Sequence, residues 1–225
     1  MITLLSVLIL NYVLFFFNEK FAQVINLYDN PDSLRKFHKN KVPLTGGILV
    51  LSNALFALIW TLIDQLYFEN FSIFETNFDL VLFIISVLIF FLVGFIDDKY
   101  NVSANGRFLF VILILIPIVI LSDNLIIKQI EFSFTELSFS LPFYVSVFWT
   151  ILCFMLYINA VNMFDGINYQ VGFYSISLSL LFLLNNYFVL FFSFVLIGLI
   201  TFIILNHKYR SFLGDGGSYL LAFIF

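Results

Sequence analysis

The sequence is poor in cysteine, proline and charge. Cys153 is the only cysteine among the 225 residues, so an intrachain disulfide is excluded. Only 11% of the residues are charged, whereas an ordinary globular domain has about 25%. Because 62% of the residues are hydrophobic, a water-soluble fold could not cover its surface with polar groups. We therefore predict an integral membrane protein and exclude disulfide-rich, collagen-like and disordered classes.

Long apolar runs divide the chain into membrane spans of the length that a helix needs, about 20 residues. We predict an all-α, polytopic helical bundle that forms one membrane domain over residues 1–225, with seven full spans and the start of an eighth near Ser218. The seven runs cover residues 2–17, 44–63, 80–96, 108–121, 141–161, 171–184 and 187–205. The eighth run reaches Phe225 before it could cross a bilayer, so we expect a C-terminally truncated chain.

The cations predict the orientation of these spans. Nine of the ten Lys and Arg residues fall on one side of the predicted membrane, and Lys128 alone falls on the other. By the positive-inside rule the cation-rich side is cytoplasmic, which places the N-terminus outside. The nine are Lys20, Arg35, Lys36, Lys39, Lys41, Lys99, Arg107, Lys208 and Arg210.

Polar residues concentrate in four connections on this predicted cytoplasmic side, within residues 29–47, 94–100, 159–168 and 206–218. Together these connections carry four carboxylates that would repel one another without a cation: Asp97, Asp98, Asp165 and Asp215. Oxygen ligands of this kind suit Mg²⁺, which one or two carboxylates hold while substrate phosphates and waters complete its coordination. We therefore predict a metal and phosphate site.

Two of these connections add detail to the predicted site. Asn159, Asn162 and Asp165 stand three residues apart, so on a helix they form one polar stripe. The glycine-rich turn from Gly214 to Ser218 would offer free backbone N–H groups at a helix N-terminus, where an anion is stabilised.

Each connection also has an ordinary structural interpretation. The basic loop between residues 29 and 47 could be a solvated positive-inside loop, and the carboxylates at 97 and 98 could simply end a helix. The asparagine stripe could hold membrane helices together, and the turn at residues 214–218 could cap a helix. The four connections favour a site because they fall together at one membrane boundary, where ionisable residues indicate function.

The motifs in these connections resemble those of the polyprenyl-phosphate N-acetylhexosamine 1-phosphate transferases, over essentially the whole chain. That family includes undecaprenyl-phosphate N-acetylglucosamine 1-phosphate transferases and the phospho-N-acetylmuramoyl-pentapeptide transferase. The motifs, in chain order, are Asp29-x-Pro31, Arg35-Lys36-x-His38, Pro43-x-x-Gly46-Gly47, Gly94-x-x-Asp97-Asp98, Asn159-x-x-Asn162-x-x-Asp165-Gly166 and Phe212-Leu-Gly214-Asp215-x-Gly217-Ser218.

The resemblance implies an enzyme that uses Mg²⁺, with Mn²⁺ as a possible substitute. It implies transfer of a sugar 1-phosphate from a UDP-sugar to polyprenyl phosphate, with release of UMP, at the cytoplasmic face of a bacterial inner membrane. This reaction initiates cell-envelope glycan synthesis. The expected partners are the lipid phosphate, the UDP-sugar and the bilayer, with no nucleic acid.

The resemblance also implies residue roles. Asp215 and Asn162 would hold Mg²⁺, Asp97 and Asp98 would orient or deprotonate the lipid phosphate, and Asp165 would contact the nucleotide or the catalytic centre. The residues expected to bind substrate are Arg35, Lys36, His38, Gly46, Gly47, Asn159, Arg210, Gly214 and Ser218. The chain departs from the family pattern at Asn168, where a second Asp is common, and at Tyr169-Gln170, where Gly-Leu is usual.

Two other classes stay open. A transporter would place charges or broken helices near the bilayer midplane, where this sequence has almost nothing ionisable. A non-catalytic scaffold or an inactive relic of an enzyme is consistent with a truncated chain. Mg²⁺-dependent exchange of UMP distinguishes the transferase from both.

Overall fold

Over the residues that the structure describes, the fold is a bundle of eight α-helices with two short strand pairs. The computed structural model describes residues 2–31, 40–68, 74, 76–122, 124–135, 137–207 and 210–225. Within these ranges the elements are α1 (Ile2–Ile25), β1 (Tyr28–Asp29), β2 (Val42–Pro43), α2 (Gly46–Phe68), α3 (Asn77–Tyr100), α4 (Ala104–Leu121), β3 (Gln129–Glu131), β4 (Ser138–Ser140), α5 (Phe143–Phe164), α6 (Gln170–Leu184), α7 (Val189–His207) and α8 (Gly214–Ile224). Both strand pairs are antiparallel.

Six of the described helices are long and apolar enough to cross a membrane: α1, α2, α3, α4, α5 and α7. The prediction of a polytopic helical membrane protein is thereby confirmed. The helix α6 is also apolar but has only 15 residues. Several helices continue beyond their apolar runs into polar sequence; α3, for example, extends to Tyr100 and includes both Asp97 and Asp98 in its last turn. The polar residues thus lie on rigid helix ends.

The centre of the bundle is α8, which packs most extensively against α3 and also against α5 and α2. Every residue of α8 except Asp215 is buried. The close approach of α3 depends on Gly94, because a Cβ atom at this position would collide with the backbone carbonyl of Asp215. The fold therefore fixes one end of α8 in the interior and presents a single ionisable side chain, Asp215, at that end.

Aromatic stacking holds the other end of α8. The ring of Phe223 stacks on Phe90 of α3 with a centroid distance of 4.6 Å, and it also stacks on Phe154 of α5 at 6.0 Å. Offset stacking of buried rings adds to the free energy gained from burying their area. These contacts fix the axial position of α8 and hence the depth of Asp215 in the bundle.

Candidate functional site

A cavity of about 1080 Å³ opens at the end of the bundle where α3 and α5 end and α4 and α8 begin. It is lined mainly by polar residues from all four of the connections that the sequence singles out. The described acidic and basic side chains that line it are five aspartates and three cations: Asp29, Asp97, Asp98, Asp165, Asp215, Lys41, Lys99 and Arg107. The four predicted carboxylates therefore lie around one space.

Asp97 is buried in an ion pair with Arg107. The Nη1 atom of Arg107 lies 2.6 Å from Oδ2 of Asp97, and the backbone N–H of Val102 donates to Oδ1 at 2.9 Å. The chain can turn back sharply because Asn101 ends α3 in the left-handed region and Ser103 caps the start of α4. With 4% of its side chain exposed and both oxygens engaged, Asp97 serves to hold Arg107.

Asp98 caps the N-terminus of α8. Its two carboxylate oxygens accept the backbone N–H groups of Asp215 at 2.9 Å and of Gly216 at 3.0 Å. A carboxylate at this position satisfies two otherwise unpaired donors and interacts favourably with the helix dipole. Gly214, just before them, has φ +75°, and a Cβ atom there would lie 2.7 Å from Oδ2 of Asp98.

This arrangement corrects the prediction that the turn offers free N–H groups to a substrate anion. The N–H groups of Asp215 and Gly216 already donate to Asp98, so the anion at this helix terminus belongs to the protein. Burial explains the difference, because a buried backbone donor without a partner is costly.

Asp215 is held on its other side by α5. Nδ2 of Asn162 donates to Oδ1 of Asp215 at 2.6 Å and also lies 3.0 Å from the hydroxyl of Ser218. The second oxygen, Oδ2, lies 3.6 Å from Nη1 of Arg107. The side chain of Asp215 remains 32% exposed, so its carboxylate is both fixed in position and open to the cavity.

Asp165 follows α5 directly and shares the cavity with the other carboxylates. Desolvation by burial raises the pKa of Asp165 well above its ordinary value, and the nearby charges of Asp215 and Asp98 raise it further. Such surroundings favour the protonated form of a carboxyl group unless a cation compensates its charge.

The raised pKa of Asp165 predicts a pH-dependent stability. The folded protein keeps a proton on Asp165 at pH values where the unfolded chain releases it. The free energy of unfolding therefore has its full value below roughly pH 4 and declines as pH rises through the pKa of the folded state. Without divalent cations, we expect Asp165→Asn to raise the melting temperature at pH 8 but hardly to change it at pH 4. Thermal unfolding of both proteins in detergent, over this pH range, measures the difference. An equal shift at every pH would contradict the prediction.

The carboxylates of this cavity suit a magnesium ion that is completed by substrate. In the part of the chain that the structure describes, no group of three or more His, Cys, Asp or Glu side chains forms a metal site on its own. Magnesium does not need such a group, because it usually binds one or two carboxylates with waters and substrate phosphates. Asp215 offers a partly exposed carboxylate, and the amide of Asn162, which does not itself line the cavity, is bonded to it; these two side chains would hold the ion. The donor set therefore fits.

Several residues predicted to bind substrate do not line the cavity. Asn159 donates to the carbonyl of Met155 on its own helix, and Arg210 places its guanidinium over Phe15 of α1. Gly46 and Gly47 are buried, and they pack against residues 212–217. Arg35, Lys36 and His38 lie outside the described residues. Gly214 lines the cavity, and Ser218 belongs to its polar network.

Two cavity residues were missed as site residues by sequence reasoning. Arg107 was counted only for topology, although its place ten residues after Asp97, in the next helix, was a signal for pairing. Asn206 was not singled out; its amide oxygen accepts the N–H of Tyr169 at 3.1 Å. Tyr169 itself has φ +70°, a conformation that glycine adopts without strain, which agrees with the glycine that the family resemblance leads us to expect at this position.

Comparison with known proteins gives one family. Residues 80–225 match glycosyl transferase family 4. The chain is 28% identical over 232 residues to the undecaprenyl-phosphate alpha-N-acetylglucosaminyl 1-phosphate transferase of Escherichia coli O157:H7, and 30% identical to the protein of the same name from Yersinia pestis. Each alignment covers 98% of this chain and 59% of the relative. The chain thus spans 59% of the length of these curated relatives.

Proposed function

Because the chain belongs to glycosyl transferase family 4, we propose that it transfers a sugar 1-phosphate, such as N-acetylhexosamine 1-phosphate, from a UDP-sugar to polyprenyl phosphate. The products are polyprenyl diphospho-sugar and UMP, and the reaction starts a cell-envelope glycan. The names of the relatives support a lipid phosphate as the acceptor and a sugar 1-phosphate as the transferred group.

The observation that carries the proposal is the cavity at the membrane-helix ends, where Asp98, Asp165 and Asp215 lie beside the Asp97–Arg107 ion pair. In phosphoryl transfer the protein contributes mainly by positioning the reactants and by compensating their charge. A cavity with this excess of carboxylates would repel a diphosphate, so it requires a divalent cation. A transporter is not supported, since the described acids of this cluster lie at helix ends and not in mid-span.

In the proposed reaction an oxygen of the lipid phosphate attacks the phosphorus next to the sugar. A new P–O bond forms, the bond from that phosphorus to the UMP oxygen breaks, and UMP leaves with the electron pair. Mg²⁺, or Mn²⁺ in its place, would neutralise charge on the diphosphate when Asp215 and Asn162 hold it. Arg107, whose side chain is 30% exposed, is placed to bind a phosphate oxygen.

The remaining carboxylates divide the other tasks in this proposal. Asp97 positions Arg107, since both its oxygens are engaged and it is almost completely buried. Asp98 fixes the turn that carries Asp215. Its oxygens each accept one backbone N–H but keep further lone pairs, and it is less buried than Asp97, so it is the carboxylate that we assign to orient or deprotonate the lipid phosphate. Asp165 lies on the connection from residue 165 to 169, which lines the cavity and would contact the nucleotide.

We further propose that this end of the bundle faces the cytoplasm of a bacterial inner membrane. The proposal rests on the positive-inside rule, with Lys41, Lys99 and Arg107 lining the cavity and Lys128 at the opposite side. It implies seven spans, with α6 included as a short one, and an N-terminus outside. An apolar helix of 15 residues can span by local thinning of the bilayer.

Exchange of labelled UMP tests the function. The protein in liposomes with polyprenyl phosphate, UDP-N-acetylglucosamine and Mg²⁺ is expected to move label from UMP into the UDP-sugar, because the reaction is reversible. Omission of the lipid phosphate or addition of EDTA should remove the signal. The E. coli relative, assayed in parallel, is the positive control. No exchange by this chain where the relative is active would favour the scaffold or relic.

A further inference from the structure

Residues 210–213 lie just before Gly214 and Asp215, and each of the four makes a hydrogen bond with another element of the fold. The carbonyl of Arg210 accepts from Nδ2 of Asn18 at 2.7 Å, and the carbonyl of Ser211 accepts from Nδ2 of Asn206 at 2.9 Å. The backbone of Phe212 is bonded to β2 and to the start of α2: its N–H donates to the carbonyl of Pro43 in β2, and its carbonyl accepts from the N–H of Gly46.

Leu213 completes this series, because its carbonyl accepts the N–H of Gly47 at 2.9 Å. Each residue from 210 to 213 is thus held by at least one hydrogen bond from α1, α7 or the start of α2. The next residue is Gly214, where the chain turns with positive φ into α8 and Asp215. The segment that leads into Asp215 is therefore held by partners of which only Asn206 lines the cavity; Asn18, Pro43, Gly46 and Gly47 lie outside it.

A buried polar chain joins α1 to this segment. The hydroxyl of Thr45 donates to the amide oxygen of Asn18, which leaves the hydroxyl of Ser211 to donate to Thr45 at 2.9 Å. All three side chains are buried. A buried polar group is costly in free energy unless it has a hydrogen-bond partner. Here Asn18 is the partner of Thr45, and Thr45 is the partner of Ser211.

We propose that Asn18, Thr45 and Ser211 form a clamp through which α1 positions the Gly214–Asp215 turn for the reaction. No residue of α1 among those described lines the cavity, so the influence of Asn18 on the reaction is indirect. Asn18 and Thr45 are positioning residues, and the clamp deepens the proposed function by assigning a role to the first helix.

The same helix offers a matched control. Asn11, seven residues before Asn18, is also buried and exchanges hydrogen bonds with Asn53 of α2 at 2.7 and 3.1 Å. Its hydrogen bonds run to Val7 of α1 and to Asn53 of α2, and none of these bonds involves residues 210–213. Asn11→Ala therefore removes a comparable buried amide from α1 without disturbing the clamp.

Hydrogen exchange measures the clamp without any turnover. In Asn18→Ala we expect the amides of Phe212, Gly46 and Gly47 to exchange at least about tenfold faster, because local opening of the segment becomes easier. In Asn11→Ala these amides should keep their protection. Equal acceleration in both variants, or none in Asn18→Ala, would overturn the proposal.

A pair of substitutions at Thr45 tests the same clamp if Asn18→Ala fails to fold. Thr45→Val keeps the shape and removes the hydroxyl, whereas Thr45→Ser keeps the hydroxyl. We expect Thr45→Val to reduce the kcat of UMP exchange at least about tenfold with little change in KM for the UDP-sugar, and Thr45→Ser to retain most of it. Equal kcat in Val and Ser variants would overturn the clamp. An inactive wild type would refute the proposed function, while the hydrogen-exchange result would still decide the clamp.

Discussion

Asp215→Asn is expected to reduce UMP exchange at least about a hundredfold, the range found when a group that acts directly on transition-state charge is removed. The substitution keeps the shape of the side chain, and an asparagine oxygen can still accept from Nδ2 of Asn162. It removes the only carboxylate of α8, which is partly exposed and which we propose as the principal ligand of Mg²⁺. The measurement is the exchange rate in liposomes as a function of Mg²⁺ concentration.

Asp79→Asn is the matched control. Asp79 lies in the first turn of α3, at the opposite end of the helix from Asp97 and Asp98, and it is partly exposed and bonded to Thr76. Its loss changes the net charge equally but leaves the cavity intact, so exchange should stay near the wild-type rate. If Asp215→Asn retained wild-type exchange at low Mg²⁺, the assignment of Asp215 would be wrong.

Asp98→Asn is expected to abolish exchange and also to lower stability. An asparagine has one acceptor oxygen where the carboxylate has two, so either Asp215 or Gly216 would lose the partner of its backbone N–H. Leaving such a group unpaired costs about 1–3 kcal/mol, and loss of the charge at the helix N-terminus adds to this. We expect a lower melting temperature together with at least about a hundredfold loss of exchange.

Comparison of the two variants separates their roles. Removal of charge at Asp215 relieves repulsion among the carboxylates, so Asp215→Asn should leave the melting temperature unchanged or raise it in the absence of Mg²⁺. Asp98→Asn should lower the melting temperature under the same conditions. A stable Asp98→Asn protein that lacks exchange would show that Asp98 acts on substrate alone, and that its cap on α8 contributes little.

The sequence predicted the membrane helices well because its signal is local. A run such as residues 80–96 predicts a span by itself, and the structure has a helix there that extends to Tyr100. Polar residues such as Asp97 and Asp98 gave no signal for where the helix ends, because a helix at a membrane boundary can continue into polar sequence. The boundaries were accordingly the weaker part of the prediction.

The candidate site was predicted in part. The sequence indicated that Asp97, Asp98, Asp165 and Asp215 belong together, since all fall at one predicted membrane face. The sequence offered no basis for assigning different partners to the adjacent residues Asp97 and Asp98, but in the structure their partners differ. Asp97 turns to Arg107 in the next helix, whereas Asp98 turns to the backbone of α8. Neighbouring residues on a helix point about 100° apart, so they meet different partners.

Composition and the length of the apolar runs determined by themselves that this chain is a polytopic helical membrane protein, because transfer into a bilayer depends on local hydrophobicity. Tertiary structure alone decided which groups neutralise which charges. Asp98 and Asp215 are 117 residues apart, and their contact exists because Gly94 lets α3 approach α8 closely. The hydrogen bond from Asn18 of the clamp to the carbonyl of Arg210 joins residues 192 positions apart in the same way. Hydrogen bonds act over about 3 Å, and only packing of the whole bundle brings such distant residues to that range.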